Sequence, residues 1–239
     1  MKLRVGLVVP VLNNFDQAID LLYSAKTEHE LKIYIQPQYR HQFPLAAAWN
    51  RGINEAIKDG CDYIIVSNDD VLFAPFSIDN AIQFIDSDRM NIDFLGFTDV
   101  SPTYEDPFMI TFAEQDDTFT PDQTIGGAVY RDDLFSCFVI KRDFFDKFGT
   151  FDENFDPAWW EDTDMLYRMH LLGGEIFHSP VPYIHLKHQT TKKLNAPLNS
   201  LKSGEYYVEK WGSANKNLTE AFKNPYNDAN LSPKEWRKL

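Results

Sequence analysis

The sequence predicts an α/β protein with a mostly parallel, Rossmann-like sheet flanked by helices. Short apolar segments rich in β-branched residues alternate with segments of helical periodicity, which is typical of parallel strands joined by right-handed crossovers. Several strand segments are apolar on both faces, as expected when helices cover both sides of a sheet. The composition is that of an ordinary globular protein, with 44% hydrophobic and 25% charged residues among 239.

Each expected strand is too short for a helix and is rich in apolar residues. The segment at 63–66 is the clearest, because all its residues are apolar or aromatic and polar residues follow it directly. In chain order, the expected strands cover residues 3–9, 31–35, 63–66, 94–97, 134–140 and 175–177.

The expected helices have apolar residues at helical spacing, and most carry a signal at one end. Asp16 is placed to cap the first helix, and Gly60, Gly149 and Gly173 follow the last residues of three others. The expected helices begin at Asp16 and then cover residues 45–58, 78–85, 142–148, 161–172 and 205–211.

We expect a main domain over residues 1–191 and a carboxyl-terminal arm, 192–239, that packs back on it. Residues 99–133 contain several prolines and many acids, so they predict a long irregular region, a candidate lid or a plain loop. No apolar stretch approaches the length of about 20 residues that a membrane span needs. Cys61 and Cys137 lie in apolar runs without metal-ligand spacing, which favours reduced core residues and a cytoplasmic location.

The formal net charge of −13 is unevenly distributed. Of the 36 acidic residues, 31 precede residue 185, whereas 10 of the 23 Lys and Arg residues follow residue 184. The acidic main part argues against a broad nucleic-acid interface, while the basic arm leaves open contacts with a phosphate, a membrane surface or the acidic part itself.

Four polar residues, Ser67, Asn68, Asp69 and Asp70, follow the strand at 63–66. Ligands of open α/β sheets bind at the carboxyl ends of the strands. Adjacent carboxylates repel each other unless a cation lies beside them. The stretch therefore predicts a divalent-metal site that also holds a phosphate, with an Asp-rich turn as the alternative.

A second acidic group, Glu161, Asp162 and Asp164, begins the helix at 161–172. Carboxylates at this position interact favourably with the helix dipole, which is the purely structural interpretation. Trp159 and Trp160 directly before them provide an apolar wall suited to a sugar ring, and a carboxylate beside such a wall can act as a general base.

Two histidines, His185 and His188, follow late in the main domain. Imidazole nitrogen together with Asp oxygen suits Mn²⁺ or a similar divalent ion, provided that the fold brings the histidines beside Asp70. Alone, the HxxH spacing is a weak signal.

In this order and spacing, the motifs resemble glycosyltransferase family 2 and its relatives with the GT-A fold, over roughly residues 1–212. The late histidines resemble the β-galactosyltransferase pattern in particular. The motifs are PVLN at 10–13, AAAWNRGINEA at 46–56, YIIVSNDDV at 63–71, KFGTFDENF at 147–155, WEDTDMLYR at 160–168 and HLKH at 185–188.

The resemblance implies roles for the acids. Asp70 would bind a divalent metal, Mn²⁺ or Mg²⁺, on the donor diphosphate, and Asp69 would hold the ribose or a water on the metal. Asp162 would be the catalytic base, and Glu161 would orient hydroxyl groups of the acceptor or the donor.

The resemblance also implies binding residues. His188, and with it His185, would complete the metal site. Pro10, Asn13 and Asn50 occupy positions that line the nucleotide. One departure concerns the nucleotide base of the donor. Many members have an Asp after the second strand that reads uracil, whereas this chain has IQPQ at 35–38 without an acid, and a Gln amide can still hydrogen-bond a pyrimidine.

The expected function is thus inverting transfer of a sugar from a nucleotide-diphosphate sugar, UDP-linked, to an acceptor hydroxyl. The expected acceptor is a glycan or another hydroxyl-bearing molecule, and a nucleic-acid acceptor stays open as well. Two alternatives stay open: a non-catalytic carbohydrate-binding or scaffold protein of the same fold, and a sugar nucleotidyltransferase. The latter normally has a Gly-rich loop after the first strand, where this chain has PVLNN.

Overall fold

The computed structural model of the protein describes residues 2–12, 15–37, 44–87, 91–100, 135–186 and 196–211. Asn13, His188 and nearly all of the irregular region predicted at 99–133 lie outside these residues.

The described residues form strands and helices that alternate through most of the chain. The strands are β1 (Arg4–Val11), β2 (Glu30–Pro37), β3 (Tyr63–Ser67), β4 (Val71–Phe73), β5 (Phe94–Asp99), β6 (Cys137–Lys141) and β7 (Ile176–His185). The helices are α1 (Phe15–Ser24), α2 (Leu45–Lys58), α3 (Ser77–Ile85), α4 (Phe144–Phe148), α5 (Glu161–Leu171) and α6 (Ala196–Trp211).

The strands form one sheet of seven within the described residues, in the order β2-β1-β3-β6-β5-β7-β4. β1 pairs in parallel with β2 and β3, and β5 pairs in parallel with β7. β6 runs antiparallel between β3 and β5, and β4 runs antiparallel to β7 at the edge. Five strands therefore point in one direction, and the prediction of a mostly parallel α/β sheet is confirmed.

Three elements differ most from the sequence prediction, and Asp16 lies within the first turn of α1, which begins at Phe15, instead of capping it. β4 was not predicted, because its three residues are too few to show a strand period. β7 continues to His185, well beyond the predicted 175–177, although Pro180 and Pro182 interrupt its pattern. α6 begins at Ala196 rather than near residue 205, because Pro197 and Gly204 weaken the helical signal before residue 205, although proline is accepted in the first turn of a helix.

Helices cover both faces of the sheet. One core lies beneath α1 and α3 and includes alternate residues of β1, such as Val5 and Leu7. The other lies beneath α2, α4 and α5, where Trp49 packs against aromatic rings that include Phe138 and Phe151. No helix in the described part of the chain is long and apolar enough to cross a membrane.

A smaller core joins α6 to α5 and to the loop before it. Its buried members are Phe155, Tyr167, Tyr207 and Trp211. This part of the carboxyl-terminal arm thus contacts the main domain, while the domain boundary at residue 191 stays a prediction.

Gly52 allows α2 to approach β1 closely, and a substitution at this glycine tests the packing of the helix on the strand. A Cβ atom at Gly52 would overlap the side chain of the fully buried Val8, whose branched side chain cannot move aside easily. Overpacking costs about 1–3 kcal/mol and the gain in helix propensity offsets up to about 1 kcal/mol. We expect Gly52→Ala to lower the free energy of unfolding by roughly 1–2 kcal/mol in urea denaturation.

The matched control is Asn54→Ala, on the exposed face of the same helix. It should change the free energy of unfolding by no more than about 0.5 kcal/mol. Equal stability of the two variants would contradict the close approach of α2 to β1.

Candidate active site

Three strands end at the same edge of the sheet. β1, β3 and β7 run in the same direction, so Val11, Ser67 and His185 all lie at this edge, which we call the carboxyl edge. Asn68, Asp69 and Asp70 follow β3 there, before the chain turns back into β4. The sheet therefore gathers residues that are far apart in the sequence.

The pairing of β4 with β7 brings Asp70 to His185. Val71 pairs with His185 in the antiparallel ladder, and the backbone N–H of Leu186 donates to the carbonyl oxygen of Asp70 at 2.8 Å. The side chains meet as well, with Oδ1 of Asp70 at 3.0 Å from Nε2 of His185. Both are largely buried, with side-chain exposures of 9% for Asp70 and 15% for His185.

Asp69 is buried beside this pair. Its carboxylate accepts a hydrogen bond from the backbone N–H of Leu12, just after β1. Its Oδ2 atom is buried and has no hydrogen-bond partner among the described residues. Burial, and then the negative charge of Asp70, raise the pKa of Asp69 to about 7.

These residues fit a divalent cation. An orphaned buried oxygen of Asp69 and the oxygen–nitrogen pair of Asp70 and His185 are ligand types that suit Mn²⁺. Within the described residues, no group of three or more His, Cys, Asp or Glu residues is arranged to hold a metal by itself. Metal ions that act on phosphates are often held by one or two protein ligands, with the substrate phosphates supplying further ones.

Glu161 and Asp162 form a second group, in the first turn of α5. Glu161 is only 4% exposed, and its Oε2 atom has no hydrogen-bond partner among the described residues. Burial, and next the charge of Asp162, raise the pKa of Glu161 well above its usual range. Asp162 is partly exposed, and its Oδ1 accepts hydrogen bonds from the N–H and hydroxyl of Thr163, at 2.6 and 3.2 Å.

Asp164, the third acid of this turn, has a structural role. It is fully buried, and its Oδ2 binds Arg168 at 2.9 Å while its Oδ1 binds Lys210 at 2.8 Å. Trp211 also donates to Oδ1 through Nε1, at 2.8 Å. Asp164 thus joins α5 to α6, whereas Oε2 of Glu161 has no such partner in the described part of the chain.

The two tryptophans before Glu161 have an uncommon backbone. Trp159 and Trp160 both lie in the left-handed region, with φ of 75° and 73°. For bulky residues this conformation costs on the order of 1–3 kcal/mol each and persists only where neighbouring contacts hold it. The ring of Trp160 packs on Tyr207 of α6, with ring centroids 5.1 Å apart, so at least this tryptophan contributes to packing.

The segment before α5 lies at the carboxyl edge. α2 begins at this edge because it follows β2, and the N–H of Leu45 donates to the carbonyl oxygen of Pro157 at 2.9 Å. Asn50 supports the same segment. Its side-chain amide bonds the backbone N–H and carbonyl of Phe151 at 2.9 and 2.8 Å, and it donates to Glu153 at 2.9 Å.

Of the other candidates for lining the nucleotide, Pro10 lies in the described part of the chain and Asn13 does not. Pro10 is buried in β1 beside the last residues of that strand, where it pairs with Gln36 of β2. Gln36 is buried too and donates to Glu55 at 2.9 Å. Asn13 and His188 lie outside the described residues, so their roles stay predictions.

Sequence reasoning did not identify two contributors to this region and did not distinguish a third. The backbone N–H of Leu12 carries no side-chain signal, and a backbone donor can be recognised only from the fold. Lys210 carries no pattern of its own, and Asp164 belongs to the predicted acidic group without a sign that its role differs, since only the tertiary contact between α5 and α6 buries Asp164 and Lys210 together.

Comparison with solved structures identifies the fold. The chain is similar to the catalytic domain of Drosophila β1,4-galactosyltransferase 7 in complex with xylobiose, with a TM-score of 0.55 and 14% identity over 84% of this chain and 80% of that one. A mutant of that enzyme in complex with manganese, UDP-Gal and xylobiose gives a TM-score of 0.53 and 14% identity over 83% and 79%. The protein has the GT-A fold.

A bacterial enzyme gives the same result. Residues 1–349 of S. aureus TarS, in complex with UDP-GlcNAc, match with a TM-score of 0.56 and 12% identity over 92% of this chain and 69% of that one. By sequence, the chain matches no protein-family model and no curated protein. The similarity therefore lies in the arrangement of the strands and helices.

The raised pKa of Asp69 predicts a pH dependence of stability in the metal-free protein. Between about pH 4 and pH 7 the folded protein holds a proton on Asp69 that the unfolded chain has released, so stability falls as the pH rises through this range. Asp69→Asn removes this loss, so we expect its stability relative to wild type to rise by about 3 kcal/mol between pH 5 and pH 8.

The measurement is urea denaturation in the presence of a chelator at pH 5 and pH 8. Asp20→Asn, on the exposed face of α1, is the control and should differ from wild type equally at both pH values. The same difference at both pH values for Asp69→Asn would show that Asp69 titrates normally.

Proposed function

We propose that the protein is a metal-dependent, inverting glycosyltransferase related to family 2. It transfers a sugar from a nucleotide-diphosphate sugar, UDP-linked, to an acceptor hydroxyl. The observation that carries this proposal is the contact between Asp70 and His185, beside the orphaned Asp69 oxygen, at the carboxyl edge of a GT-A sheet. The fold alone is compatible with several functions, so the proposal depends on this cluster.

Asp70 and His185 would hold the divalent ion, Mn²⁺ or Mg²⁺, with His188 as a further ligand. When bound, such an ion acts as a Lewis acid that neutralises the charge of the leaving diphosphate. Asp69 would accept a hydrogen bond from a ribose hydroxyl. Support for manganese comes from the similar Drosophila enzyme, which is in complex with manganese and UDP-Gal.

Asp162 would act as the base. Its carboxylate is partly exposed and is oriented by Thr163, so an acceptor hydroxyl can approach it. As the acceptor oxygen bonds to the anomeric carbon, Asp162 takes the hydroxyl proton and the bond from that carbon to the diphosphate breaks. One displacement from the opposite face inverts the configuration, so a single base is sufficient.

Glu161 would orient a hydroxyl group. Because burial raises its pKa, the protonated form of the carboxyl group is favoured, and in that form it can donate a hydrogen bond as well as accept one. Its Oε2 has no hydrogen-bond partner among the described residues, which supports a contact with a ligand.

Pro10, Asn13 and Asn50 would line the nucleotide. The amide of Asn50 already makes three hydrogen bonds to Phe151 and Glu153, so its contribution is chiefly to fix the segment around them. The acceptor would be a glycan or another hydroxyl-bearing molecule, including a nucleic-acid acceptor. A cytoplasmic location is also part of the proposal, supported by two buried cysteines that form no disulfide.

The first test measures donor binding by thermal shift with a panel of nucleotide sugars, with and without Mn²⁺. A donor at 100 times its dissociation constant stabilises by about 2.7 kcal/mol, which raises the Tm by roughly 5–10 °C for a chain of this size. We expect this shift only with the metal present, and we expect Asp70→Asn and His185→Ala to abolish it.

Asp20→Asn is the control for this panel and should keep the full shift. An equal metal-dependent shift in Asp70→Asn would show that the ion binds elsewhere. The panel also identifies the nucleotide, because only the preferred base should give the full shift.

The second test concerns chemistry. Asp162→Asn should lower the transfer rate by about 100- to 10,000-fold, since the amide cannot accept the proton, while the metal-dependent Tm shift by the donor stays unchanged. Transfer at the wild-type rate in this variant would refute the assigned base.

Product analysis with donor and Mn²⁺ separates the alternatives. A transferase that uses water as a poor acceptor releases free nucleotide diphosphate. A nucleotidyltransferase with its own substrates releases pyrophosphate, and a non-catalytic protein of this fold releases nothing.

A further inference from the structure

We infer that α6 positions the catalytic base. Ser203 and Gly204 of α6 hold residues 158–160 in place through contacts that we call the seat, and these contacts set the position of Asp162 at the start of α5. The inference rests on the proposed function, because that function assigns the base to Asp162. It makes part of the carboxyl-terminal arm a component of the active site rather than an appendage.

The seat consists of direct contacts. The hydroxyl of Ser203, which is 2% exposed, donates to the carbonyl oxygen of Ala158 at 2.9 Å. The Trp160 ring lies against Tyr207 and passes so close to Gly204 that a Cβ atom there would be 3.3 Å from three ring atoms. One turn of α6 therefore holds both ends of the segment 158–160.

This segment needs to be held. Trp159 and Trp160 are consecutive left-handed residues, and bulky side chains leave that region unless the surroundings oppose the change. Glu161 and Asp162 follow directly, so a different backbone angle at Trp160 would redirect the first turn of α5. The contacts on α6 are thus in a position to set the direction of the Asp162 carboxylate.

Charges at the far end of α6 fix the helix in this place. The side chain of Lys210, only 6% exposed, lies between Asp152 at 2.7 Å and Asp164 at 2.8 Å. Burial opposes ionisation of Asp152, but the charge and hydrogen bond of Lys210 outweigh it and lower the pKa of Asp152. With Arg168 on Asp164, two carboxylates and two cations balance, and the group ties α6 to α5 and to the loop before it.

The test uses two variants that change the seat without removing this charged group. Ser203→Ala removes the hydrogen bond to Ala158. Gly204→Ala adds one methyl group that presses on Trp160 but raises the helix propensity of α6. Glu205→Ala, exposed on the same turn, is the matched control.

We expect both seat variants to lower kcat by about 10- to 100-fold, because a displacement of about 1 Å at a catalytic group can cost about 100-fold. The dissociation constant of UDP with Mn²⁺ should match that of the control. Ser203→Ala also loses a buried hydrogen bond, so its Tm should fall by a few degrees, whereas the gain in helix propensity should keep the Tm of Gly204→Ala near that of the control. A purely structural role would lower Tm without lowering kcat. Unchanged kcat in both seat variants would overturn the inference while leaving the proposed function intact.

Amide hydrogen exchange separates failure of the inference from failure of the proposed function. The amides of residues 158–162 should exchange faster in both seat variants than in Glu205→Ala, with no change in β1 or β3. This holds whether or not the wild-type protein transfers a sugar. Equal exchange in all three variants would mean that α6 does not seat the segment.

Discussion

The pairing of β4 with β7 is the interaction on which the candidate active site depends. It joins Asp70 and His185, which are 115 residues apart, through a backbone ladder and a side-chain contact. β4 has three residues and lies at the edge of the sheet, where it pairs with β7 and the N–H of Phe73 donates to the hydroxyl of Ser24 in α1. β7 also pairs in parallel with β5, which lies inside the sheet. This pairing fixes the direction of β7 and so places His185 at the carboxyl edge.

The acids at this edge differ in how their charge is compensated. Asp164 has Arg168, Lys210 and Trp211 as partners, and so its burial is compatible with stability. Asp69 and Glu161 are buried, and each has an oxygen without a hydrogen-bond partner among the described residues. Burial raises the pKa of each, and an uncompensated buried carboxyl group weakens the fold. Buried carboxylates that lack a compensating charge are typical of functional sites rather than of cores.

Some of the site could be predicted because local patterns carry it. The acids after β3 and at the start of α5 stand out against apolar neighbours, and the two histidines are close in sequence. Asp164 could not be separated from Glu161 and Asp162, since all three are acids in one turn. Arg168 of the same helix supplies one cation to Asp164, and only the approach of α6 adds the second, Lys210. The left-handed residues before Glu161 lie in the segment that contacts α6. The placement of Ser203 and Gly204 likewise left no pattern in the sequence.

By itself, the sequence determined the class of the fold, the direction of its first strands and the residue types available for chemistry. These follow from hydrophobic period, turn residues and the chemistry of side chains, all of which act over short distances along the chain. The tertiary structure alone decided which acids meet a histidine, which meet cations and which stay without a partner. Those outcomes depend on contacts between segments more than 40 residues apart. The register of a β-ladder and the position of a helix on its neighbours are set by packing, which no local pattern encodes.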